Sequence, residues 1–298
     1  MNIKIYEEKE IHPHAFALLE QHGHHITTDS ERAEAILIRT ATHADKKFID
    51  RHSKLKYLLR AGAGLDNINI DECRQRGIIL LNSAGANANA VAEYTIGLMF
   101  AALRKISVAD RHVRGGGWDR YSFLGAELQG KTIGLVGFGA IPKLVAKKLQ
   151  GFDVKILAYD PFLKKEQIEI FPNTHQMAEL HHLLQKSQIV SIHVPLVKET
   201  EYMIGAAELK LLNPGTVLIN TSRGKIVDEE ALIPLLVSQK LIAALDVFSE
   251  EPLGEKKIAA LKKLDNVILT PHIAAMTPEA HEAMAVEVVK KFCEMVKK

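Results

Sequence analysis

Residues 134–149 read GLVGFGAIPKLVAKKL. The stretch passes from apolar, strand-like residues through Gly137-Phe138-Gly139 into a helical pattern, the layout of a turn that seats a dinucleotide pyrophosphate at a helix N-terminus. Gly137 permits the tight turn, Gly139 lets the backbone approach the phosphates, and Ala140 and Ile141 open the helix. Pro142 stands where the pattern has its third glycine. A proline suits the first turn of a helix, where its missing N–H costs nothing, but its bulk predicts a slightly displaced helix. A G-x-G alone is a weak signal, and its surroundings strengthen it. The next strand candidate ends at Asp160, about 20 residues beyond Gly139, the spacing of an acid that accepts hydrogen bonds from an adenosine ribose. A carboxylate there repels a 2′-phosphate, so the cofactor expected is NAD rather than NADP. The alternative reading of Asp160 is the first residue of an Asp-Pro turn.

Outward from the turn, short apolar or β-branched runs alternate with amphipathic stretches almost end to end, the rhythm of a parallel sheet with crossover helices. The pattern predicts strands over 3–6, 36–39, 55–60 and 78–82, then, beyond the glycines at 115–117, over 132–136, 154–159, 189–194, 216–220, 242–247 and 267–269. The second set has the six strands of a complete doubly wound dinucleotide domain. Helices are predicted over 14–22 and 70–76, with a long one over 89–106 that is apolar nearly all round and so destined for burial between layers or subunits. A last helix over 278–296 has no further strand to serve and is expected to return to the first domain. With 298 residues, 47% of them hydrophobic and 25% charged, the chain is long enough for two cores. The expected fold is α/β, two doubly wound parallel-sheet domains around a cleft. Residues 1–98 and 271–298 make one domain and residues 99–270 the dinucleotide domain.

The charge balance, 38 basic against 36 acidic residues, shows no long block of one sign and argues against nucleic acid as the main partner. The N-terminus lacks the apolar core of a signal peptide and no apolar run reaches membrane-spanning length, so a cytoplasmic protein with no membrane partner is expected. Cys73 and Cys293 fit neither a zinc nor a redox spacing and read as neutral thiols. Among the 14 histidines, His12, His14, His22, His24 and His25 crowd the first helix and its exit without a ligand spacing. They read as a solvated surface, and no metal is expected.

Three later stretches each set one polar residue just past a strand: Arg223 in LINTSRGKIVDEEAL, Glu251 in ALDVFSEEP and His272 in NVILTPHIAA. Carboxyl ends of strands in an open α/β sheet face the ligand crevice, so the three side chains are expected over one cleft. The trio suits hydride chemistry on a 2-hydroxy acid. A histidine takes the hydroxyl proton and returns it near neutral pH, a glutamate orients the ring, and an arginine fork pairs with the substrate carboxylate.

Taken together, RAGAGLDNI, NSAGANANAVAEYTIGLMFAALR, ELQGKTIGLVGFG, HVPLVKET, INTSRGKIVDEEAL, ALDVFSEEP and PHIAA resemble, in order, the signature segments of the D-isomer-specific 2-hydroxyacid dehydrogenases. The resemblance covers nearly the whole chain. It implies a Rossmann-like NAD domain inserted in a flavodoxin-like substrate domain, with Arg223, Glu251 and His272 at the catalytic positions. On cofactor positions it places Gly137, Gly139, Ala140 and Ile141 at the pyrophosphate and Asp160 at the ribose, with Val194 and Pro195 near the adenine. Thr221, Ser222, Arg223, Asp246, His272 and Ala274 fall toward the nicotinamide. Gly62, Ala63 and Gly64 follow a strand with little side chain, a nest whose implied role is to hold the substrate carboxylate. Arg39 and Arg60 each end a strand and look like the arginines that hold the phosphate in 3-phosphoglycerate dehydrogenases. The alternative is that they pair with acidic neighbours. Arg120 resembles a third basic position that reaches across a homodimer. The implied activity is NAD-dependent oxidation of 3-phosphoglycerate, a step of serine biosynthesis, by a short form without regulatory domains. A glyoxylate or hydroxypyruvate reductase needs the same trio without the phosphate grip, and a dinucleotide-sensing corepressor remains as a reading of another class.

Overall fold

The computed structural model describes residues 1–164, 168, 171 and 173–297, so Lys298, the end of the predicted first-domain segment, lies outside the described residues. The chain divides into two compact units, Met1–Ala90 with Ala275–Lys298, and Val91–Ala274. The first carries a five-stranded parallel sheet and the second a seven-stranded one. Both are α/β, the class expected.

In the first unit, β1 (Asn2–Ile5), β2 (His25–Ile26), β3 (Ala35–Ile38), β4 (Tyr57–Arg60) and β5 (Ile79–Asn82) stand in the order β2-β1-β3-β4-β5. Successive side chains of a strand face opposite sides, and in central β3 both sides are covered, so it reads as an unbroken apolar run, Ala35-Ile36-Leu37-Ile38. Leu37 and Leu59 pack with Ile3 and Ile5 against Ala15 and Leu19 of α1 (Pro13–Gln21). Ile36, Ile38 and Leu58 face Phe48 and Ile49 of α2 (Lys46–Asp50) and Cys73 of α3 (Ile70–Gln75). Local signals start these helices: Asp45 Oδ1 accepts from Phe48 N at 2.7 Å, and Asn69 Oδ1 from Glu72 N at 3.0 Å. Short β2 escaped the sequence reading because its two residues, His25 and Ile26, gain strand character only by pairing with β1.

The helix predicted over 89–106 is two helices, α4 (Ala88–Leu103) and α5 (Ile106–Arg114), separated where Lys105 turns left-handed at φ 52°. The unit boundary falls within α4, ahead of the expected residue 98, because Ala92, Leu98 and Met99 already pack in the core of the second unit. That unit continues through β6 (Thr132–Val136), α6 (Ala140–Lys148), β7 (Lys155–Tyr159), β8 (Thr174–Gln176), α7 (Leu180–Lys186), β9 (Ile189–Ile192), α8 (Ala206–Leu211), β10 (Val217–Asn220), α9 (Glu229–Val237), β11 (Ile242–Leu245), α10 (Glu255–Leu261) and β12 (Val267–Leu269). The order is β12-β11-β10-β9-β6-β7-β8. The seventh strand, β8, is a polar edge segment with no apolar run to announce it. Strand order reverses beside β6, the switch point at which ligand crevices form in such sheets. The final helix, α11 (Pro278–Val296), is started by Thr277, whose Oγ1 accepts from Ala280 N at 3.1 Å. It lays Ala285, Val288, Val289 and Phe292 on the β1–β3–β4 face of the first unit, beside α1.

Candidate active site

All seven strands of the second unit run parallel, so Gly137, Asp160, Val194, Thr221, Asp246 and Thr270 leave its sheet at one edge. Gly137 has φ 91°, and a Cβ there would lie 2.9 Å from the His193 carbonyl oxygen and 3.0 Å from Val194 Cγ1. The fold itself requires this glycine. His193 is held neutral, its pKa pushed down to about 3 by desolvation, and its Nε2 pairs with Ser191 Oγ at 2.9 Å. Gly139 differs: it caps α6 with φ −78°, open to any residue, and a Cβ would meet nothing within 4 Å. No side chain caps that helix. The absence of a Cβ therefore serves no packing need of the chain, and the space over the first turn fits a pyrophosphate. Pro142 is buried in the first turn of α6 without interrupting it.

Asp160 takes up the alternative reading, the Asp-Pro turn, and also reaches the glycine turn. Its Oδ1 accepts from Phe162 N at 2.9 Å, closing the Asp-Pro turn, and its Oδ2 accepts from Phe138 N at 2.9 Å, tying the end of β7 to the glycine turn. Each oxygen keeps a lone pair for a ribose hydroxyl.

Past β10, Thr221 is buried and its hydroxyl meets Thr95 of α4 at 3.1 Å. Ser222 bonds Asn220 Oδ1 through both its N–H, at 3.0 Å, and its hydroxyl, at 2.8 Å. A Cβ on Gly224 would sit 1.8 Å from the Phe248 carbonyl carbon, so only glycine lets the β10 exit touch the β11 exit. This contact sets Arg223 near Glu251, whose carboxyl feels the guanidinium charge. Arg223 itself donates to the Ser222 carbonyl at 2.7 Å.

Glu251 Oε2 meets His272 Nδ1 at 2.8 Å, and its Oε1 accepts from Phe248 N at 3.0 Å. Burial pushes the Glu251 carboxyl up, but hydrogen bonds from His272 and Phe248 N and the charges of His272 and Arg223 outweigh it, leaving the pKa below the ordinary carboxylate value. With Nδ1 facing a carboxylate, Nε2 of His272 is the nitrogen that can exchange a proton with a ligand.

Two anchors brace this trio: Glu229, which the sequence reading missed, and Asp246, which it placed only at the cofactor. Glu229, buried at the start of α9, accepts from Ser249 N at 2.6 Å and Ser249 Oγ at 2.8 Å and pairs with Lys257, fixing the loop that carries Glu251. Asp246, fully buried, accepts at Oδ1 from Thr270 Oγ1 at 2.6 Å and Ile273 N at 2.9 Å, and at Oδ2 from Ala274 N at 2.8 Å. Its carbonyl takes the His272 N–H at 2.8 Å. These bonds brace a loop in which His272 adopts φ 55°, a left-handed conformation that costs a non-glycine residue about 1–2 kcal/mol. They also explain why the unit runs on to Ala274 rather than stopping at the expected residue 270. Val194 is half-buried and Pro195 exposed, past β9, with the Pro195 carbonyl accepting from Thr200 Oγ1 at 2.6 Å.

In the first unit, Arg39 and Arg60 are 8% and 7% exposed at the carboxyl ends of adjacent strands. Arg39 is turned inward: its Nη1 donates to the Glu10 carbonyl at 3.1 Å and to His281 Nε2, with the Glu10 carboxylate 3.8 Å away. Burial pulls this guanidinium below its usual range, opposed by Glu10 and Glu7. The acidic-neighbour reading of Arg39 thus describes part of its surroundings. Arg60 donates to the Ala61 carbonyl at 2.9 Å and to Thr40 Oγ1 at 3.3 Å, and its guanidinium lies where a Cβ on Gly62 would be, 1.4 Å from Nη1. The Gly62 carbonyl accepts from Ser83 N at 3.1 Å and the Ala63 carbonyl from Asn82 Nδ2 at 2.8 Å, so the first two carbonyls of the Gly62-Ala63-Gly64 segment are tied back to the protein.

Comparison with known proteins bears on both units. Residues 96–274 match the family described as D-isomer specific 2-hydroxyacid dehydrogenase, NAD binding domain. The chain belongs to that family. The matched residues are its NAD-binding domain. Among curated relatives, the D-3-phosphoglycerate dehydrogenase of Archaeoglobus fulgidus is 41% identical over 89% of this chain, which spans 50% of that protein's length. The hydroxypyruvate reductase of Thermotoga maritima is 39% identical over 87% of this chain and 83% of its own. Among solved structures, D-lactate dehydrogenase from Aquifex aeolicus, complexed with NAD and lactic acid, superposes with a TM-score of 0.88 at 28% identity, covering 100% of this chain and 96% of that one. The chain thus spans about half the length of the phosphoglycerate dehydrogenase it matches. Among the described residues, no helix is long and apolar enough to cross a membrane.

Proposed function

We propose that the chain is a NAD-dependent D-2-hydroxyacid dehydrogenase and that its substrate is 3-phosphoglycerate, oxidised to 3-phosphohydroxypyruvate. The 2.8 Å pair between His272 Nδ1 and Glu251 Oε2 at the carboxyl edge of a dinucleotide-type sheet carries the reading. NAD, when bound, accepts the hydride from C2 of the substrate. Gly137, Gly139, Ala140 and Ile141 seat its pyrophosphate and Asp160 its ribose, while Val194 and Pro195 flank the adenine. Thr221, Ser222, Asp246 and Ala274 lie toward the nicotinamide. His272 Nε2 takes the C2 hydroxyl proton as the carbonyl forms. Glu251 holds the ring by Nδ1 and stabilises the imidazolium through a charge-assisted bond. Arg223 pairs with the substrate carboxylate and polarises the adjacent oxygen, in a geometry that lysine cannot copy.

Within the first unit, the Gly62-Ala63-Gly64 nest offers backbone N–H groups to an anion, and Arg39 and Arg60 provide charge for a phosphate. Two charge-assisted contacts of about 1.5–3 kcal/mol each favour a phosphorylated substrate over a plain one. The experiment is turnover of purified protein on phosphorylated and plain 2-hydroxy and 2-keto acids, with Arg60→Ala alongside. Arg60→Ala is expected to lower kcat/KM for 3-phosphoglycerate at least about tenfold more than for an unphosphorylated acid. Equal losses on both sink the phosphate assignment.

A second reading, hydroxypyruvate or glyoxylate reductase, draws on two observations: the chain spans 83% of the Thermotoga hydroxypyruvate reductase, and Arg39 is already engaged by Glu10 and His281. Faster reduction of glyoxylate or hydroxypyruvate than of 3-phosphohydroxypyruvate selects it.

The working form is proposed to be a cytoplasmic homodimer. Trp118, Tyr121 and Leu124 are 81%, 86% and 82% exposed in a segment that also holds exposed Arg120, a concentration of apolar surface that a partner copy would cover. The buried free thiols Cys73 and Cys293 suit a reducing compartment. A monomeric mass by light scattering at micromolar concentration defeats the dimer.

A further inference from the structure

The histidine-rich start of the chain plays no part in the reading above, yet folding brings two of its members to a carboxylate from the far end of the sequence. His12 precedes α1 and His14 lies in its first turn, while Glu282 lies one turn into α11, 268 residues beyond His14. One ligand atom of each of the three lies within 4.8 Å of the others, and His14 Nδ1 meets Glu282 Oε1 at 2.6 Å. The rings of His12 and His14 stand edge to face with centroids 4.8 Å apart. No spacing in the sequence reveals the set, because its third member arrives only when α11 packs on α1.

We propose that His12, His14 and Glu282 bind one divalent transition-metal ion of the zinc class, clamping the start of α1 to α11. Two imidazoles and one carboxylate are a borderline donor set that suits Zn²⁺, Co²⁺, Ni²⁺ or Cu²⁺ and not the all-oxygen preference of Mg²⁺ or Ca²⁺. Half-exposed ligands leave room for water in the remaining positions. The ligand atoms lie within 4.8 Å of one another, and the exposure of His14, 65%, and Glu282, 46%, leaves both side chains room to turn onto an ion. The ion displaces the His14–Glu282 bond and a long cap in which His12 Nδ1 accepts from His14 N at 3.3 Å, both modest losses at a solvated site. His281, the neighbour of Glu282, stays outside the set because its Nε2 is taken by Arg39. Arg39 and the α1 N-terminus oppose a cation here. The Glu282 carboxylate offsets them, and the Arg39 charge is already faced by Glu10.

A ligand that bridges two packed elements in the folded chain and not in the unfolded one raises stability by mass action. The first unit is therefore expected to melt higher with metal. The test uses tag-free full-length protein stripped with a chelator and titrated with Zn²⁺ by calorimetry near pH 7.5, with Co²⁺ absorption as a second readout. Wild type is expected to show a saturable site that His14→Ala and Glu282→Gln each weaken at least about tenfold. His22→Ala, in the same histidine run, is expected to leave it unchanged. Zn²⁺ is expected to raise the melting temperature of wild type and not of the two variants, and Glu282→Gln keeps size and shape should His14→Ala fold poorly. Lack of a saturable site in wild type, or binding and Co²⁺ bands that survive in both variants, overturns the proposal.

Discussion

Asp246→Asn is the sharpest probe of how the second unit holds its histidine. Asp246 is fully buried and spends its two oxygens on Thr270 Oγ1, Ile273 N and Ala274 N, all donors. Asparagine has one oxygen and one NH₂, so whichever way it turns, a donor faces a donor. In the better orientation its oxygen keeps Thr270 and Ile273, and its NH₂ opposes the Ala274 N–H, itself buried. One charge-assisted bond is lost outright and two become neutral, a change of about 2–4 kcal/mol. The loop relieves the conflict by moving, and it carries His272 at φ 55°, a conformation it does not choose unaided. If that energy falls on the reactive geometry, kcat/KM drops by roughly 30- to 1000-fold. The assay pairs steady-state kinetics with thermal unfolding and NADH fluorescence titration. Both kcat and melting temperature are expected to fall, because the bonds exist in the folded chain with or without cofactor. Unchanged melting with only a weaker NADH affinity refutes the reasoning and leaves Asp246 as a cofactor contact alone.

The other predictions follow from the same geometry. Gly137→Ala is expected to cost about 1–3 kcal/mol of stability, since φ 91° is strained for alanine and its Cβ meets the His193 carbonyl, whereas Gly139→Ala is expected to melt like wild type and bind NADH more weakly. Equal melting losses for the two substitutions contradict the division between a glycine for the fold and a glycine for the ligand. Glu251 has a folded pKa below its unfolded value, so its contribution to stability is present above the ordinary carboxylate range and is lost as pH falls through the lowered folded value. The melting-temperature gap between wild type and Glu251→Gln is thus expected to shrink between pH 7 and about pH 3. A gap that stays constant over that range excludes the His272–Glu251 pair as its source.

The sequence by itself determined the class of fold and the edge at which chemistry gathers, because both depend on local periodicity. Apolar runs of strand length alternating with helical patterns force parallel pairing, and parallel pairing sends every strand exit to one side. That is why Gly137, Asp160, Arg223, Glu251 and His272 could be picked out by their place after a run. Edge strands β2 and β8 lay beyond such reasoning, since they are strands by virtue of a neighbour rather than of their own residues. The break at Lys105 was equally hidden, for nothing in an apolar helical pattern marks a single left-handed residue. Only the tertiary structure decided which side chains meet. Gly224 has no role legible in the sequence, because only the fold brings the Phe248 carbonyl to where its Cβ would be, and Asp246, read as a cofactor contact, spends most of its lone pairs on the loop of His272. Arg39 stood at a strand end like Arg60, yet the packing of α11 gave it His281 as a partner. Spacing along the chain encodes secondary structure and the direction of its exits, while contacts between residues tens or hundreds of positions apart are encoded only in how the faces pack.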